Sequence, residues 1–382
     1  MESPFDVLAR SWRDDTTIAV ATVVETFSSS PRLPGAMMAV DEHGAVTGSI
    51  SGGCVEASVY ASLIEVRDGP EILARERYGV SGEDAFAVGL TCGGTIDIVL
   101  QKFSRRTHPH YRSMIDAVEN DRPAAHITII EHSNPEMIGR TVVVGEDWYK
   151  SGPLLTNSVP NLVQRARDLM GVGEPGTVTL SSDTESWSAF VAPQSPRPLM
   201  LIFGAVDFAR ALAVQGSQLG YKVVVCDARA TFATHQRFPA ADEVVVDWPH
   251  RYVETLHRLG RLDCRTVVCV LTHDPKFDDE LLDTVLRIPT LAYVGALGSR
   301  RTHQLRLQSL RDRGLGQQEL ERLRSPIGLD LGARTPDETA VSIAAEILAN
   351  RYSRSARALS DTDGRIHAQL REGDREGLAN VR

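Results

Sequence analysis

The residues of this chain best suited to chemistry are two cysteines that each adjoin a pair of glycines. Cys54 ends the run GSISGGC, directly before an apparent helix, and Cys92 begins the run CGGTIDIVL, directly before an apparent strand. A helix N-terminus presents unpaired backbone N–H groups and partial positive charge, which favour a bound anion and the thiolate form of a nearby cysteine. A lone cysteine among apolar residues is usually a small core side chain. Two cysteines beside glycine pairs favour one shared functional site.

The segment before Cys54 predicts an anion-binding loop. Glycine adopts positive φ and lets a ligand approach the backbone closely, and the serines add hydroxyl donors. The predicted donors around an anionic group are Gly48, Ser49, Ser51, Gly52 and Gly53.

Composition limits the class of protein. The chain has 382 residues, which suggests two or three domains, and its 42% apolar and 24% charged residues are typical of a soluble globular protein. A net charge of −9 without a basic stripe argues against a nucleic-acid partner. The acidic first residues, which lack an apolar segment, argue against a secretory signal, and no apolar run approaches the length of a membrane span, so we expect a cytoplasmic protein. Five cysteines without a C-x-x-C pair predict reduced thiols.

The first half contains an internal echo. A strand–turn–strand–helix order over residues 17–102 returns over residues 123–192 with shorter loops, which favours a duplicated unit over chance similarity. The second copy has no cysteine in the place of Cys54, so only the first copy would keep the site.

The three prolines of APQSPRP, residues 192–198, predict the main domain boundary. Apolar, β-branched strands alternate with helical stretches beyond it, as in an open parallel sheet with helices on both faces. We therefore predict an α/β protein with an α+β domain over residues 1–195, a doubly wound parallel sheet over residues 196–355 and a charged tail over residues 356–382.

The second half predicts another candidate site, because ligands of parallel sheets bind beyond the carboxyl ends of the strands. Val206 stands where a dinucleotide-binding βαβ unit has its second glycine, and a β-branched side chain there would obstruct a pyrophosphate. The pair His273–Asp274 either orients an imidazole or ligates a metal, or it simply starts a helix. The candidates for a nucleotide or second site are Gly204, Asp227, Arg229, His273, Asp274, Gly295 and Ser299.

Several long motifs carry a resemblance to a known family. The segments GSISGGCVEASV, GLTCGGTIDIVL, VVVCDARATFATHQRFP, YVGALGSRRTHQLRL and SPIGLDLGARTPDETAVSIAAEILA look like the XdhC/CoxI family of accessory proteins for molybdenum hydroxylases such as xanthine dehydrogenase. The resemblance spans most of the chain and implies an XdhC/CoxI domain followed by a Rossmann domain. Many members have Gly-His where this chain has Val206 and Asp207, which weakens the transfer of nucleotide binding.

The resemblance implies a maturation factor rather than a catalyst. It would bind molybdenum cofactor, a pterin dithiolene with a phosphate tail, protect it, assist its sulfuration and deliver it to the apoenzyme. The implied partners are a molybdenum hydroxylase, a cysteine desulfurase-type sulfurtransferase and a second copy in a homodimer. Soft thiolates suit a molybdenum centre. By resemblance, Cys54 and Cys92 contact the cofactor or its metal. The loops around these two thiols consist of Ser49, Ser51, Gly52, Gly53, Gly93 and Gly94. Arg32 either contacts a phosphate or is a solvated turn residue, and Glu56 either orients a ligand or interacts with the helix dipole.

Two rival functions remain at this point. An NAD(P)-dependent oxidoreductase would use Asp227 and His273, although Val206 argues against it. A thiol redox protein would exchange Cys54 and Cys92, although no C-x-x-C motif supports it.

Overall fold

The computed structural model describes residues 2–27, 32–79, 94–151, 159–181, 186–272 and 275–363. These residues divide into two compact units, with the break between Pro196 and Arg197. The described residues up to 196 are called the N-terminal unit here, and those from 197 to 363 the C-terminal unit.

The N-terminal unit is built from ten strands and four α-helices among its described residues. In chain order they are α1 (Pro4–Asp14), β1 (Ile18–Phe27), β2 (Met37–Val40), β3 (Val46–Gly48), α2 (Glu56–Asp68), β4 (Leu73–Tyr78), β5 (Thr95–Phe103), α3 (Tyr111–Glu119), β6 (Ala124–Glu131), β7 (Thr141–Gly145), β8 (Tyr149–Ser151), α4 (Val159–Val172), β9 (Gly176–Ser181) and β10 (Ser186–Gln194).

These strands form two antiparallel five-stranded sheets with one common topology. The first sheet has the order β3-β2-β1-β5-β4 and the second the order β8-β7-β6-β10-β9. In each sheet a helix follows the third strand of its segment, so the connections also correspond. A duplicated unit would have this correspondence. That the two segments arose by duplication stays a prediction.

The two sheets stack between two helices. Helix α2 places Val59, Leu63 and Val66 on the first sheet, and α4 covers the second sheet in the same way. The inner faces of the sheets meet through Val24 and Val99 of the first sheet and Ile130 and Phe190 of the second. Strands with one face toward a helix and one toward another sheet are buried on both sides, which explains their continuous apolar runs.

One buried carboxylate ties the first sheet together. The side chain of Asp97 in β5 is 1% exposed and accepts hydrogen bonds from Arg75 (2.9 Å) and Arg77 (2.5 and 2.7 Å) of the paired strand β4. Arg75 also reaches Glu131 of the second sheet. Burial alone would raise the pKa of Asp97, but the two guanidinium groups outweigh it and lower that pKa.

We expect Asp97→Asn to destabilise the N-terminal unit by about 2 kcal/mol, because the largely exposed Arg77 loses its hydrogen-bonded carboxylate and Arg75 keeps only its ion pair with Glu131. Urea unfolding of the full chain measures this loss. Asp68→Asn is the matched control, since Asp68 is an exposed partner of Arg67 and should change stability little. Equal stability of the two variants would contradict a structural role for the Asp97 cluster.

The C-terminal unit alternates strands and helices. In chain order they are β11 (Leu199–Phe203), α5 (Asp207–Gln218), β12 (Lys222–Asp227), β13 (Glu243–Val246), α6 (Pro249–Arg258), β14 (Val267–Val270), α7 (Pro275–Leu286), β15 (Tyr293–Ala296), α8 (Arg300–Asp312), α9 (Gln317–Glu321), β16 (Leu323–Arg324) and α10 (Pro336–Arg351).

Its six strands form one parallel sheet in the order β13-β12-β11-β14-β15-β16. This is the Rossmann order, in which the chain reverses direction across the sheet between β11 and β14. Separate apolar clusters cover the two faces, one with α6 and α7 and the other with α5 and α10. The predicted α/β class, with an α+β region followed by a doubly wound parallel sheet, is confirmed. Among the described helices none is long and apolar enough to cross a membrane.

Candidate functional site

The glycine–cysteine loop, residues 48–55, connects β3 to α2. Gly48 has φ +87°, and a Cβ there would lie 2.2 Å from the carbonyl oxygen of Met37, so only glycine fits. Gly52 and Gly53 also have positive φ, at +77° and +120°. The loop thus needs glycine where the sequence provides it.

A carboxylate of the chain itself fills the concave side of this loop. Oε1 of Glu56 accepts hydrogen bonds from Ser49 Oγ (2.7 Å) and from the backbone N–H groups of Ser51 and Gly52 (2.9 Å each). Oε2 accepts from the N–H groups of Gly53 (2.8 Å) and Val55 (3.3 Å) and from the Ser51 hydroxyl. Four of the five predicted donors, all but Gly48, therefore converge on one anion, and that anion is Glu56.

The charge state of Glu56 follows from these contacts. Partial burial would raise the pKa of its carboxyl, but hydrogen bonds from the Ser51 and Ser49 hydroxyls and from backbone N–H groups lower it to about 2. Glu56 is therefore ionised at neutral pH. The sequence suggested that Glu56 orients a ligand or interacts with the helix dipole. It did not predict that Glu56 accepts the hydrogen bonds of its own loop. Glu56 is the first residue of α2, with Val55 at the N-cap, so the capping-box spacing does not mark it and no local sequence signal indicates this contact.

Cys54 lies at the helix end of this loop. Its backbone N–H donates to Ser51 Oγ (3.0 Å), and its half-buried side chain packs against the core of the first sheet. Next to it, Gly52 and Gly53 are exposed, and no heavy atom of the described residues, apart from the chain neighbours, lies within 4 Å of where a Cβ would stand on either. The loop thus presents a thiol beside an open stretch of backbone.

The remaining predicted residues of this site fall in two groups. Arg32 is brought to the loop, where its Nε and Nη2 each lie 3.4 Å from the carbonyl oxygen of Ser49. Gly94 is buried directly before β5. Cys92 and Gly93 lie outside the described residues, so the predicted pairing of the two cysteines stays a prediction.

The second candidate site contains a cavity of about 330 Å³ at the carboxyl ends of the strands in the C-terminal unit. Three of the predicted residues line it, namely Gly204, Asp227 and Arg229. Val206, which the sequence indicated as an obstruction to a pyrophosphate, also lines it, while sequence reasoning missed the rest of its described wall, which consists of Ala228, Pro249, Thr272 and Phe277. The position matches the ligand site expected where strand order reverses.

Asp227 is already engaged within this cavity. Its carboxylate accepts from the backbone N–H of Ala205 (2.7 Å) and from the Arg229 side chain (2.8 and 2.9 Å), while Arg229 stacks on Phe232 at 4.8 Å. Burial would raise the pKa of Asp227, but the bonds from Arg229 and Ala205 lower it. A ribose hydroxyl would therefore have to compete with Arg229 for this carboxylate.

Other predicted residues of the second site do not line the cavity. Gly295 is buried within β15, where a Cβ would come within 2.5 Å of Ile327, so it serves packing. Ser299 caps α8 by accepting from the N–H of Thr302 at 3.0 Å. His273 and Asp274 lie outside the described residues.

A buried ion pair unnoticed in the sequence supports this region. Asp278 at the start of α7 meets Arg306 of α8 at 3.1 Å, and both side chains are at most 4% exposed. Thr272 donates to Asp278, and Arg306 also donates to the Leu297 carbonyl (3.2 Å) and to Ser325 (3.0 Å). These bonds join the carboxyl ends of β14 and β15. In the described residues no three His, Cys, Asp or Glu side chains cluster as they would around a metal ion.

Comparison with known proteins gives a consistent result for both units. A model of the XdhC and CoxI family matches residues 11–79, and a model of the XdhC Rossmann domain matches residues 200–347. A probable xanthine dehydrogenase subunit of Bacillus subtilis is 26% identical over 340 residues, which cover 88% of this chain and 94% of that protein.

Two further relatives extend the comparison. The molybdenum cofactor insertion chaperone PaoD of Escherichia coli is 26% identical over 333 residues, 87% of this chain and 83% of PaoD. A crystal structure described as a xanthine dehydrogenase from Bacillus halodurans has 25% identity and a TM-score of 0.70, covering 94% of this chain and 98% of that one.

Proposed function

The chain belongs to the XdhC and CoxI family, and from that premise we propose that it is a molybdenum cofactor chaperone that loads a xanthine dehydrogenase-type enzyme. The observation that carries the proposal is the glycine–cysteine loop, where Cys54 stands beside the open backbone of Gly52 and Gly53. The names of two relatives, one a xanthine dehydrogenase subunit and one a molybdenum cofactor insertion chaperone, support the same role.

The donor set of the loop suits a cofactor with a soft metal centre. A thiolate from Cys54 is a soft ligand of the kind that such centres accept. The absence of side chains on Gly52 and Gly53 leaves room for a flat, bulky ligand next to that thiol. Because Glu56 already accepts the N–H groups of the loop, these groups serve to shape the loop, and Arg32 is a cation at the loop that could contact a phosphate.

In the cell this role divides into holding, modifying and handing over the cofactor. Bound at Cys54, molybdenum cofactor would be shielded until the target apoenzyme accepts it. We further propose that a cysteine desulfurase-type sulfurtransferase sulfurates the cofactor on this chain, with Cys92 as the second thiol. We also propose that the chain forms a homodimer, which would contain two glycine–cysteine loops.

The experiment that tests the proposal measures binding of molybdopterin to anaerobically purified full-length protein. We expect saturable binding that Cys54→Ala weakens about tenfold or more, equivalent to about 1.4 kcal/mol of binding free energy. Cys92→Ala should weaken it as well. Cys264→Ala is the matched control, because Cys264 is an exposed cysteine of the C-terminal unit, and it should bind as the wild type does.

The cavity of the C-terminal unit favours one competing function. The cavity has a volume of about 330 Å³ and lies where the strand order of the Rossmann sheet reverses. It would therefore suit part of a nicotinamide dinucleotide. Two residues at the start of helix α5 argue against this function. Val206 is the N-cap and the exposed Asp207 is the first helical residue, whereas a bound pyrophosphate would need glycine and positive charge there. Folded wild type that binds NAD(P)H tightly and no molybdopterin would overturn the chaperone proposal in favour of an oxidoreductase.

A further inference from the structure

A small cavity with polar groups in its wall lies between the two sheets of the N-terminal unit. Its volume is about 50 Å³, and much of its wall is apolar, including Phe5, Phe103 and Phe190. Polar side chains face it from both halves of the unit, among them Gln101 of β5, His108 between β5 and α3, and His126 of β6. None of the residues of the glycine–cysteine loop lines it.

Each of these three side chains has a buried nitrogen without a hydrogen-bond partner. The atoms are Gln101 Nε2, His108 Nε2 and His126 Nε2. Gln101 is 6% exposed and His108 is 1% exposed. Leaving a buried donor or acceptor unpaired costs the desolvation of that group, so native proteins satisfy nearly all of them. Three side chains in the wall of one cavity therefore each have a nitrogen that needs a partner.

The chemistry of the wall selects a neutral ligand. Among the described lining residues there is no Asp, Glu, Lys or Arg to balance a charge. Burial lowers the pKa of both imidazoles, that of His126 to about 4, so both are neutral at physiological pH. A neutral imidazole nitrogen can accept a hydrogen bond, whereas the amide nitrogen of Gln101 only donates.

We propose that this cavity binds a water molecule that accepts a hydrogen bond from Gln101 Nε2 and donates one to Nε2 of each histidine, thereby linking the two sheets. A buried water typically makes about three such bonds, and the cavity exceeds the space that one water needs. The water would connect β5 of the first sheet to β6 of the second.

The proposal fixes the protonation of the two rings. Both Nε2 atoms must lack a proton, so each neutral ring must carry its proton on Nδ1. His108 Nδ1 lies 2.9 Å from Thr107 Oγ1, so an Nδ1–H group of His108 can donate to this oxygen. The hydroxyl of Thr107 in turn donates to the carbonyl oxygen of Lys102 at 3.2 Å. The geometry around His108 is thus compatible with the required tautomer.

Nitrogen NMR of the full chain with labelled histidine and glutamine tests this assignment at neutral pH. We expect His108 and His126 as Nδ1–H tautomers and a slowly exchanging water cross-peak to the Gln101 side-chain amide. Gln101→Leu should remove the cross-peak, whereas Gln194→Leu, a change of the same type on the same wall, should keep it. Nε2–H tautomers in a folded wild type, or no water contact, would overturn the proposal.

A crystal structure with anomalous data provides the second measurement, which remains informative even where a variant fails to fold. Density for a water within hydrogen-bond distance of all three nitrogens supports the proposal. A metal ion with an anomalous signal overturns it, and Met37 and Met114, which also line the cavity, make a soft cation the competitor to check. An empty cavity also overturns it.

Discussion

Glu56→Ala should weaken molybdopterin binding by about 100-fold, the upper end for a residue that orients the groups around a metal ligand. The carboxylate accepts from four backbone N–H groups, those of Ser51, Gly52, Gly53 and Val55. Alanine leaves these donors without their acceptor, and the positive φ angles of Gly52 and Gly53 lose the contact that holds them. Cys54 would then no longer be presented in one geometry. Equilibrium titration under anaerobic conditions measures the loss.

The controls for Glu56 separate charge, shape and folding. Glu56→Gln keeps the length of the side chain but turns an NH₂ group toward N–H donors, so we expect an intermediate loss. Glu65→Ala removes an exposed carboxylate from the same helix and should bind normally. Amide hydrogen exchange supplies a readout without ligand, since only the Glu56 variants should speed exchange in residues 51–55. Wild-type affinity of Glu56→Ala would refute the role of Glu56 in shaping the site.

Acidification below pH 6.5 should destabilise the N-terminal unit through His108, which is buried, and His126, whose Nε2 atom is buried. Burial lowers the pKa of His126 to about 4 and also lowers that of His108. The unfolded chain binds these protons near pH 6.5 and the folded chain does not, so stability is complete above pH 6.5 and falls as the pH decreases toward 4. For His126 alone a difference of about 2.5 pKa units corresponds to about 3 kcal/mol at pH 4.

Tryptophan fluorescence can follow this transition selectively. Trp12, Trp148 and Trp187 lie in the N-terminal unit and Trp248 in the C-terminal unit, so a Trp248→Phe background reports on the first. Urea unfolding between pH 7 and pH 4 should show a steep loss that His126→Phe reduces. His43→Gln, which changes an exposed histidine, should not reduce it. Glu56 changes the pH dependence of stability only near pH 4. Its carboxyl has a pKa of about 2 in the folded protein and 4.5 as the ordinary value, so the stability that it contributes is lost as the pH falls below about 4.5. Parallel profiles for wild type and His126→Phe would contradict the prediction.

The sequence predicts the fold well where hydrophobic period and turn chemistry agree. The strands and helices of the C-terminal unit follow directly from apolar runs separated by helical stretches, and their alternation predicts the parallel sheet with helices on both faces, whereas the order of its strands was not predicted. The recurring strand–helix order of the first half likewise anticipates two sheets of identical topology.

The site was less accessible to sequence reasoning because its decisive contacts are made by side chains. That Gly52 and Gly53 belong to an anion-binding loop follows from residue type, but the identity of the anion depends on where the Glu56 side chain reaches. Asp227 was similarly expected to be open to a ligand, and a neighbour two residues away, Arg229, occupies it. The pairing of Asp278 with Arg306 joins two helices and has no local signature.

The carboxylate inside the glycine–cysteine loop also has a consequence for kinetics. A loop that is held in shape by a charge of its own chain does not need to fold around an arriving molecule, so capture is not slowed by an ordering step. For the same reason, departure does not require the loop to melt. If the chain is the proposed chaperone, the residence time of the cofactor then depends on the bonds made at Cys54 and its surroundings, and a receiving enzyme that competes for those bonds takes the cofactor without unfolding the chaperone.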